Sequence, residues 1–193
     1  MKEATKATRR RTQDLKYQKF FKGTGVDVGC GNDCIIQFKK EFNKMRDVRA
    51  WDIRDGDGQY LRSISDFSLD FVHSSHSLEH MRDWKIALTN WLRVVKKGGY
   101  VIVSIPEWEM YEHKQWPSRS NSDHKWAFSL NFLDVTIFAP VVILSVPMLE
   151  EEFSCKVEIL QNIEIGYDPS RGYADQTADS GTECAIEMIL KKL

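Results

Sequence analysis

The feature that most constrains the fold is a short β-rich run, Thr24–Val28, which stops at the turn Gly29-Cys30-Gly31. Glycines in such a turn allow backbone conformations that other residues avoid, and they let a ligand approach the main chain closely. In an open parallel sheet, the first strand-to-helix turn at the carboxyl ends of the strands is the usual ligand cradle. Tight turns also use these residues for structural reasons alone, so the meaning of this turn depends on the elements around it.

Strand and helix patterns alternate along the chain. Apolar residues recur at helical spacing from Asp83 to Val95, and Lys96-Lys97-Gly98-Gly99 ends that helix. The next run, Tyr100–Ile105, is typical of a buried strand that Pro106 closes. The other predicted elements are strands at Asp47–Trp51, Ser68–Ser74, Lys156–Ile165 and Glu183–Leu190, a helix with Ile35, Ile36, Phe38 and Phe42 on its apolar face, and a helix beginning at Ser145-Val146-Pro147. This alternation predicts an α/β fold that ends in an antiparallel hairpin.

Length and charge favour one compact domain without an electrostatic field that would attract nucleic acid. A chain of 193 residues predicts a single domain over residues 1–193, and a net charge of -1 makes a nucleic-acid partner unexpected. Residues 1–22 depart from this balance and predict a basic helical extension. Its basic side chains are expected to be solvated, with an RNA or phosphate contact as the alternative. The basic residues are Lys2, Lys6, Arg9, Arg10 and Arg11, against a single Glu3.

Cysteine spacing and hydropathy favour a cytoplasmic protein. The four cysteines form no CxxC pair, so they predict neither a zinc ribbon nor a disulfide framework. The N-terminus has no signal-peptide pattern, and no uncharged segment reaches the ~20 residues that a membrane-spanning helix needs. The longest uncharged segment, Val135–Leu149, contains two prolines. It is predicted to be buried or interfacial, with a membrane-surface contact as the alternative.

Acidic residues flank the glycine turn and indicate the charge of its ligand. Asp27 precedes Gly29 by two residues, and Asp52 ends the next predicted strand, where a carboxylate can accept hydrogen bonds from both hydroxyls of a ribose. A dinucleotide fingerprint would need a third glycine and an uncharged approach for the pyrophosphate. Asp33 stands there instead and would repel phosphate. The charges favour S-adenosylmethionine (SAM), which carries a sulfonium and an ammonium group.

Five segments resemble a bacterial branch of the class I SAM-dependent methyltransferases. They read GVDVGCGND, AWDIRDGDGQYL, LDFVHSSHSLEHMRDWKIALTNWLRVVKKGGYVIVSIPE, NSDHKWAF and DQTADSGTECAIEMILKKL. The resemblance implies a Rossmann-like three-layer fold with a mostly parallel seven-stranded sheet, order 3-2-1-4-5-7-6, whose seventh strand is antiparallel. Only about five residues separate Asp52 from Asp57, too few for the usual helix and third strand. We therefore expect the third strand to be short or absent.

The resemblance also implies roles for individual residues in binding SAM. Asp27 would help to hold the amino group near Gly29 and Gly31, and Asp52 would take the ribose. The residues beside them, Cys30 and Ile53, belong to the same expected contact surface. Asp57 or Gln59 would border the adenine. Ser74, Ser75 and His76 would lie against the methionine part and face the acceptor.

A zinc site is the rival interpretation. The segment His76-Ser77-Leu78-Glu79-His80 fits the HxxEH pattern of inverted zinc peptidases, in which two histidines bind zinc and the glutamate acts as a base. Such a pair should lie within a helix, so that both imidazoles share one face. This motif begins at the end of a strand, and we expect no metal there.

The acceptor side is expected in residues 107–130, a long connection rich in polar and aromatic residues. Asp123 and His124 could form a carboxylate-oriented general base, or only an ion pair that anchors the loop. Tyr111 is the third candidate catalytic group. The tryptophans of this region could stack on an acceptor or close a lid by packing.

The resemblance leaves the methyl acceptor open, and we favour a small molecule or a sugar. An alternative function is a binding or partner subunit that keeps the methyltransferase fold without catalysis.

Overall fold

The computed structural model describes residues 3–131 and 140–193. Its main sheet has six strands in the order β2-β1-β3-β4-β8-β7, and a second sheet pairs β5 with β6. The elements are α1 (Glu3–Thr12), β1 (Gly23–Val28), β2 (Met45–Trp51), β3 (Leu69–Ser75), α2 (Trp84–Val94), β4 (Val95–Pro106), β5 (Ala127–Ser129), β6 (Val141–Ile143), α3 (Val146–Phe153), β7 (Cys155–Ile165) and β8 (Glu183–Lys192).

The topology confirms the α/β prediction and settles the third strand. Strands β2, β1, β3 and β4 run parallel, and β8 is antiparallel to both β4 and β7. This is the expected order with the third family strand missing. Residues 52–68, all of which the structure describes, form one 3-10 turn, Ile53–Asp55, and irregular turns. A Cβ on Gly58 would lie 2.9 Å from Val28, so this segment packs closely against the end of β1.

Beyond the N-terminal extension, two of the three predicted helices form where expected, and one does not. Helix α2 begins where expected, because the Asp83 side chain accepts the N–H groups of Lys85 and Ile86. Helix α3 also begins as predicted, after Ser145 and with a proline in its first turn. The helix expected after the glycine turn is wrong, since only a 3-10 turn, Ile35–Phe38, forms. Its apolar side chains still reach the core, so periodicity identified the buried face but not the length of the helix.

The sheet separates two apolar layers by the alternation of its side chains. Along β4, Val101, Val103 and Ile105 face the layer that contains α2 and α3. Ile102 points the other way, into a layer built largely from aromatic residues. That layer contains Tyr17, Phe20, Phe21, Phe38, Phe42 and Phe71. A two-residue period therefore makes β4 a strand buried on both faces.

The expectation that the basic side chains of the N-terminus are solvated is wrong for Lys6 and Arg11. Helix α1 is docked on the sheet, and Lys6 and Arg11 are buried. The Lys6 ammonium donates to the carbonyls of Thr177 and Thr182, and the Arg11 guanidinium pairs with Glu187. These charges are satisfied inside the protein, so they offer no RNA or phosphate contact.

Part of the long uncharged segment lies outside the described residues. Its described portion supplies half-buried β6 and the start of α3, so this portion is a structural element beside β5. Within the described chain, no helix has both the length and the apolar character needed to cross a bilayer.

Candidate functional site

The glycine turn takes a backbone conformation that requires glycine. Gly29 and Gly31 have φ angles of +73° and +51°. A Cβ on Gly29 would lie 2.2 Å from the Ser77 hydroxyl oxygen, a distance that no side chain tolerates. The Gly29 N–H donates to the Trp51 carbonyl at 2.8 Å, so the turn is joined to the end of β2. Main chain, rather than side chain, forms the surface at this point.

A cleft of about 540 Å³ opens at the carboxyl ends of β1 and β2. Five predicted cofactor contacts line it: Gly29, Asp52, Ile53, Asp57 and Gln59. Ile53 is 87% exposed, which is unusual for a large aliphatic side chain and leaves an apolar surface for a flat ligand group. A neighbouring hollow of about 480 Å³ shares Asp52 and Ile53 and adds Cys30 and Gly31. The turn and the end of β2 therefore form one continuous concave surface.

Asp27 lies behind this surface rather than on it. The carboxylate is buried, and its Oδ1 is 2.6 Å from His73 Nδ1, while Oδ2 accepts the Ile35 N–H at 2.8 Å. It thus joins the turn to the segment that follows. A direct contact with the amino group of SAM stays a prediction. His73 is fully buried and also meets the Arg11 guanidinium.

Asp57 and Gln59 border the cleft and also hold its wall. Asp57 accepts from Arg82 at 2.7 Å and from the Gln59 N–H at 2.9 Å. The buried Gln59 side chain accepts the Asp83 N–H at 2.8 Å, directly before α2. The residues expected beside adenine therefore fix the position of α2 relative to the cleft.

The segment after β3 is only partly where the resemblance placed it. Ser74 is buried, and its hydroxyl donates to the Val28 carbonyl. The hydroxyl of Ser75 is buried without a protein partner. His76 has a left-handed backbone, and burial, with a smaller effect of Lys6, lowers its pKa to about 3. None of the three lines the cleft, whereas Ser77 does.

The connection after β4 is docked beside the cleft. The N–H groups of Lys125 and Trp126 both donate to the Glu79 carbonyl, and the Trp126 indole donates to the Met81 carbonyl. Trp108 is fully buried. For these two tryptophans, the contacts agree with packing rather than with an open stacking platform. Asp123 and Lys125 reach the cleft wall.

The carboxylate beside His124 is not the one that the sequence suggested. His124 Nδ1 is 2.6 Å from Glu112 Oε1, and the Tyr111 ring stacks on the imidazole at 5.5 Å. Asp123 is largely exposed and instead contacts His80 Nδ1 at 3.0 Å and the Lys125 ammonium at 3.1 Å. Adjacent residues in an extended loop point in different directions, so sequence proximity did not predict the pairing.

The HxxEH segment does not form the histidine pair that the rival zinc interpretation requires. Leu78–His80 is a single 3-10 turn, and His76 Nε2 faces the Glu3 carboxylate at 3.9 Å. His80 and Glu79 instead meet His124, since Glu79 Oε1 lies 3.8 Å from His80 Nε2 and 3.9 Å from His124 Nε2. Burial, with a further effect of the nearby Glu112, raises the pKa of Glu79 to about 8. Sequence reasoning missed Glu112 as a partner and also missed Ser77 and Met81, for which no motif gave a signal.

A family model described as a methyltransferase domain matches residues 11–135. This chain belongs to that methyltransferase family. A sequence search of the curated proteins finds no match. The cofactor of the class I methyltransferases is SAM, which agrees with the charge pattern around the glycine turn.

Solved structures support the same fold for this methyltransferase. A protein of Listeria monocytogenes described as a SAM-dependent methyltransferase aligns with a TM-score of 0.58 at 14% identity, covering 96% of this chain and 99% of that one. A chain from the complex of the Haloferax volcanii Trm112 methyltransferase activator with a methyltransferase aligns with a TM-score of 0.59 at 15% identity, covering 98% and 89%. A Galdieria sulphuraria protein described as a sarcosine dimethylglycine methyltransferase gives 0.61 at 12% identity, covering 97% and 86%.

Proposed function

We propose that this methyltransferase holds SAM in the cleft between the glycine turn and the end of β2, and methylates a small-molecule or sugar acceptor. The observation that carries the proposal is the joint position of Gly29, Asp52 and Ile53 around one cleft. The turn offers main-chain groups, Asp52 offers an exposed carboxylate, and Ile53 offers an exposed apolar side chain. These three chemistries match the amino acid, ribose and adenine parts of SAM.

The shape of the turn fits a ligand that approaches the backbone. Gly29 is solvent-accessible and lines the cleft, and Ser77, which also lines it, lies where a Cβ on Gly29 would be. A ligand can therefore approach the main chain of the turn without meeting a side chain at this position. Asp27 and Ile35 fix the turn from behind, so the surface is formed before a ligand arrives.

Bound SAM would supply a methyl carbon that its sulfonium already activates. The protein's task is then to align the acceptor and to exclude water. Residues 107–130 are suited to this task, because their contacts with Glu79 and Met81 hold them beside the cleft. We place the acceptor on the side where His80, Asp123 and Lys125 form the wall. Tyr111, His124 and Glu112 lie behind that wall. They would influence the acceptor indirectly, through the contact of His124 with His80.

Charge bears on the acceptor class. The chain's net charge of -1 provides no field for a polyanion. Three of the four basic residues of α1, Lys6, Arg10 and Arg11, are buried or paired with Glu183 and Glu187. These observations favour a small molecule or a sugar over nucleic acid.

Calorimetric titration with SAM and with S-adenosylhomocysteine tests the cofactor assignment. We expect binding by the unmodified protein and a large loss of affinity in Asp52→Ala. Asp47→Ala is the matched control, because Asp47 is an exposed aspartate on the same strand and does not line the cleft. If the unmodified protein binds neither compound at millimolar concentration, the proposal fails.

A screen for S-adenosylhomocysteine release tests the acceptor class. The panel contains small hydroxylated compounds, amines and sugars, with RNA as the comparison. Turnover with RNA alone would contradict the proposed acceptor. Tight SAM binding without turnover of any acceptor would favour the non-catalytic partner subunit.

A further inference from the structure

Three potential metal ligands converge beneath the connection after β4, and one of them, His80, also lines the proposed SAM cleft. The ligand atoms of Glu79, His80 and His124 all lie within 4.8 Å of one another. They come from the turn after β3 and from the connection after β4, so the fold brings them together across more than forty positions of sequence. The two imidazole rings have centroids 4.8 Å apart and meet edge to face.

Among the described residues, the carboxylate of Glu79, at the centre of this group, has no hydrogen-bond donor. Glu79 is about 1% exposed, and neither of its side-chain oxygens accepts a hydrogen bond. Glu112, also buried, leaves its Oε2 without a partner. A buried carboxylate without hydrogen bonds is costly, and native proteins normally pair such groups with donors, cations or metals. Since no hydrogen-bond donor in the described part of the chain reaches either Glu79 oxygen, both are available to a ligand.

Both imidazoles are oriented to present Nε2 as a lone pair. His124 Nδ1 lies 2.6 Å from Glu112 Oε1, and His80 Nδ1 lies 3.0 Å from Asp123 Oδ2. A carboxylate accepts hydrogen bonds, so each ring donates from Nδ1, and the tautomer protonated there alone leaves Nε2 as a free lone pair. Carboxylates that hold the far nitrogen of a metal-bound histidine are a general feature of zinc sites.

The other group with suitable ligand types shows what a satisfied carboxylate looks like. Asp27, Cys30 and Cys34 also lie close together. There, however, both oxygens of Asp27 are engaged, one with His73 and one with the Ile35 N–H. Of these two groups, the Glu79 group is therefore the one whose carboxylate oxygens are free of hydrogen bonds.

We propose that Glu79, His80 and His124 bind one divalent transition-metal ion, with Zn²⁺ as the best match. Two imidazole nitrogens and one carboxylate oxygen form a ligand set that zinc uses, whereas Mg²⁺ prefers oxygen ligands alone. Ligands about 2.0–2.1 Å from one tetrahedral ion lie about 3.4 Å apart, so the observed separations of 3.8 and 3.9 Å need to close by roughly half an ångström. Rotation of the Glu79 and His80 side chains supplies that movement.

Three protein ligands leave a fourth position open on a four-coordinate ion. His80 lines the cleft wall, so this position lies on the side where a water or a ligand oxygen can enter. The site differs from the rival HxxEH interpretation, because His124 rather than His76 is the second imidazole.

Titration of metal-free protein with Zn²⁺ and Co²⁺ tests the proposal without SAM or an acceptor. We expect one equivalent of Zn²⁺ to bind, and Co²⁺ to give the visible spectrum of a four-coordinate nitrogen and oxygen site. Azide added to the Co²⁺ form should alter that spectrum, because it occupies the open position. Mg²⁺ should bind far more weakly.

Variants separate the ligands from their surroundings. Glu79→Gln and His80→Gln should each lower Zn²⁺ affinity by more than about 100-fold, and Glu112→Gln by about 10–100-fold. His80 is half-buried, so its substitution should leave the fold intact and keep the test valid if Glu79→Gln fails to fold. His113→Gln is the matched control, since His113 contacts Tyr173 and lies outside the group. Absence of stoichiometric binding, or equal binding by His80→Gln and the unmodified protein, would overturn the proposal. Loss of SAM binding would not affect it.

Discussion

Two buried polar regions of this protein use the same residue types with opposite outcomes. We call the first the Arg11 network, and it contains Arg11, Asp27, His73, Ser104 and Glu187. We call the second the Glu79 cluster, and it contains Glu79, His80, Glu112 and His124. In the Arg11 network every carboxylate meets a cation, an imidazole or an N–H group. In the Glu79 cluster three carboxylate oxygens accept no hydrogen bond from the described residues.

The difference follows from how each region is assembled. His73, Ser104 and Glu187 project from neighbouring strands, and β4 and β8 pair Ser104 directly with Glu187. Helix α1 brings Arg11 onto this row, so the charges balance within the fold. The Glu79 cluster is formed by two connections instead, and it brings carboxylates to histidines without an adjacent lysine or arginine among its members. The first arrangement suits structural support, and the second suits a ligand.

The largest effect is expected from Glu187→Gln. Arg11 and Arg10 outweigh the effect of burial and lower the pKa of Glu187 from 4.5 to about 2. Breaking this buried pair should reduce the free energy of unfolding by about 3–5 kcal/mol in urea titrations at neutral pH. A lowered pKa stabilises the fold above pH 4.5, and this stabilisation is lost as pH falls towards 2. The difference between the two proteins should therefore shrink over that range.

Glu158→Gln is the surface comparison for this prediction. Glu158 pairs with Lys19, whose side chain is exposed, and such a pair should contribute at most about 1 kcal/mol. Equal losses in Glu187→Gln and Glu158→Gln would show that the Arg11 network gives no more support than a surface ion pair.

The next effect is stabilisation by metal, expected only through the Glu79 cluster. Free Zn²⁺ at 100 times its dissociation constant should raise the free energy of unfolding by about 2.7 kcal/mol. Glu79→Gln should abolish this gain and His113→Gln should keep it, as measured by denaturant titration with and without Zn²⁺. A gain that survives in Glu79→Gln would place the metal elsewhere.

A smaller effect of opposite sign is expected for Glu79→Gln without metal. The substitution removes a buried carboxylate that has no partner, so stability should stay the same or rise by about 1 kcal/mol. The same chemical change lowers stability in the Arg11 network. A loss of several kcal/mol in metal-free Glu79→Gln would show that the carboxylate has a stabilising partner, and the contrast between the regions would fail.

The smallest stability effect is expected for Asp123→Asn. Asp123 is largely exposed, so the free energy of unfolding should change by less than about 0.5 kcal/mol. Zn²⁺ affinity should nevertheless fall, by about tenfold, because Asp123 orients His80. Calorimetry and urea titration on the same sample separate the two effects. An unchanged affinity would remove Asp123 from the support of the site.

Much of the fold could be predicted from local patterns. Helix α2 was visible because its 3.6-residue apolar period extends over more than ten positions, and strand β4 because Tyr100–Ile105 is a largely apolar run that Pro106 closes. The 3-10 turn Ile35–Phe38 was predicted as a longer helix, because a short apolar run does not show how many turns the helix has. Strand β5 has only three residues and gave no periodic signal.

The site divides in the same way. Gly29 and Asp52 were identifiable because each lies at the end of a predicted strand, and parallel strands bring their carboxyl ends to one edge. The partner of His124 was not identifiable. Glu112 is twelve positions away in a connection without a regular period, and Asp123 was the nearer choice in sequence.

The sequence by itself determined the fold class, the glycine turn and the charge of the ligand that suits it, because these depend on residue type at fixed local spacing. The order of the main strands was implied by the family resemblance. Only the tertiary structure decided that the basic residues Lys6 and Arg11 are buried, that His76 turns away from Glu79, and that His124 takes its place. Those outcomes depend on which segments pack together, and the balance of buried charge exists only after they have done so.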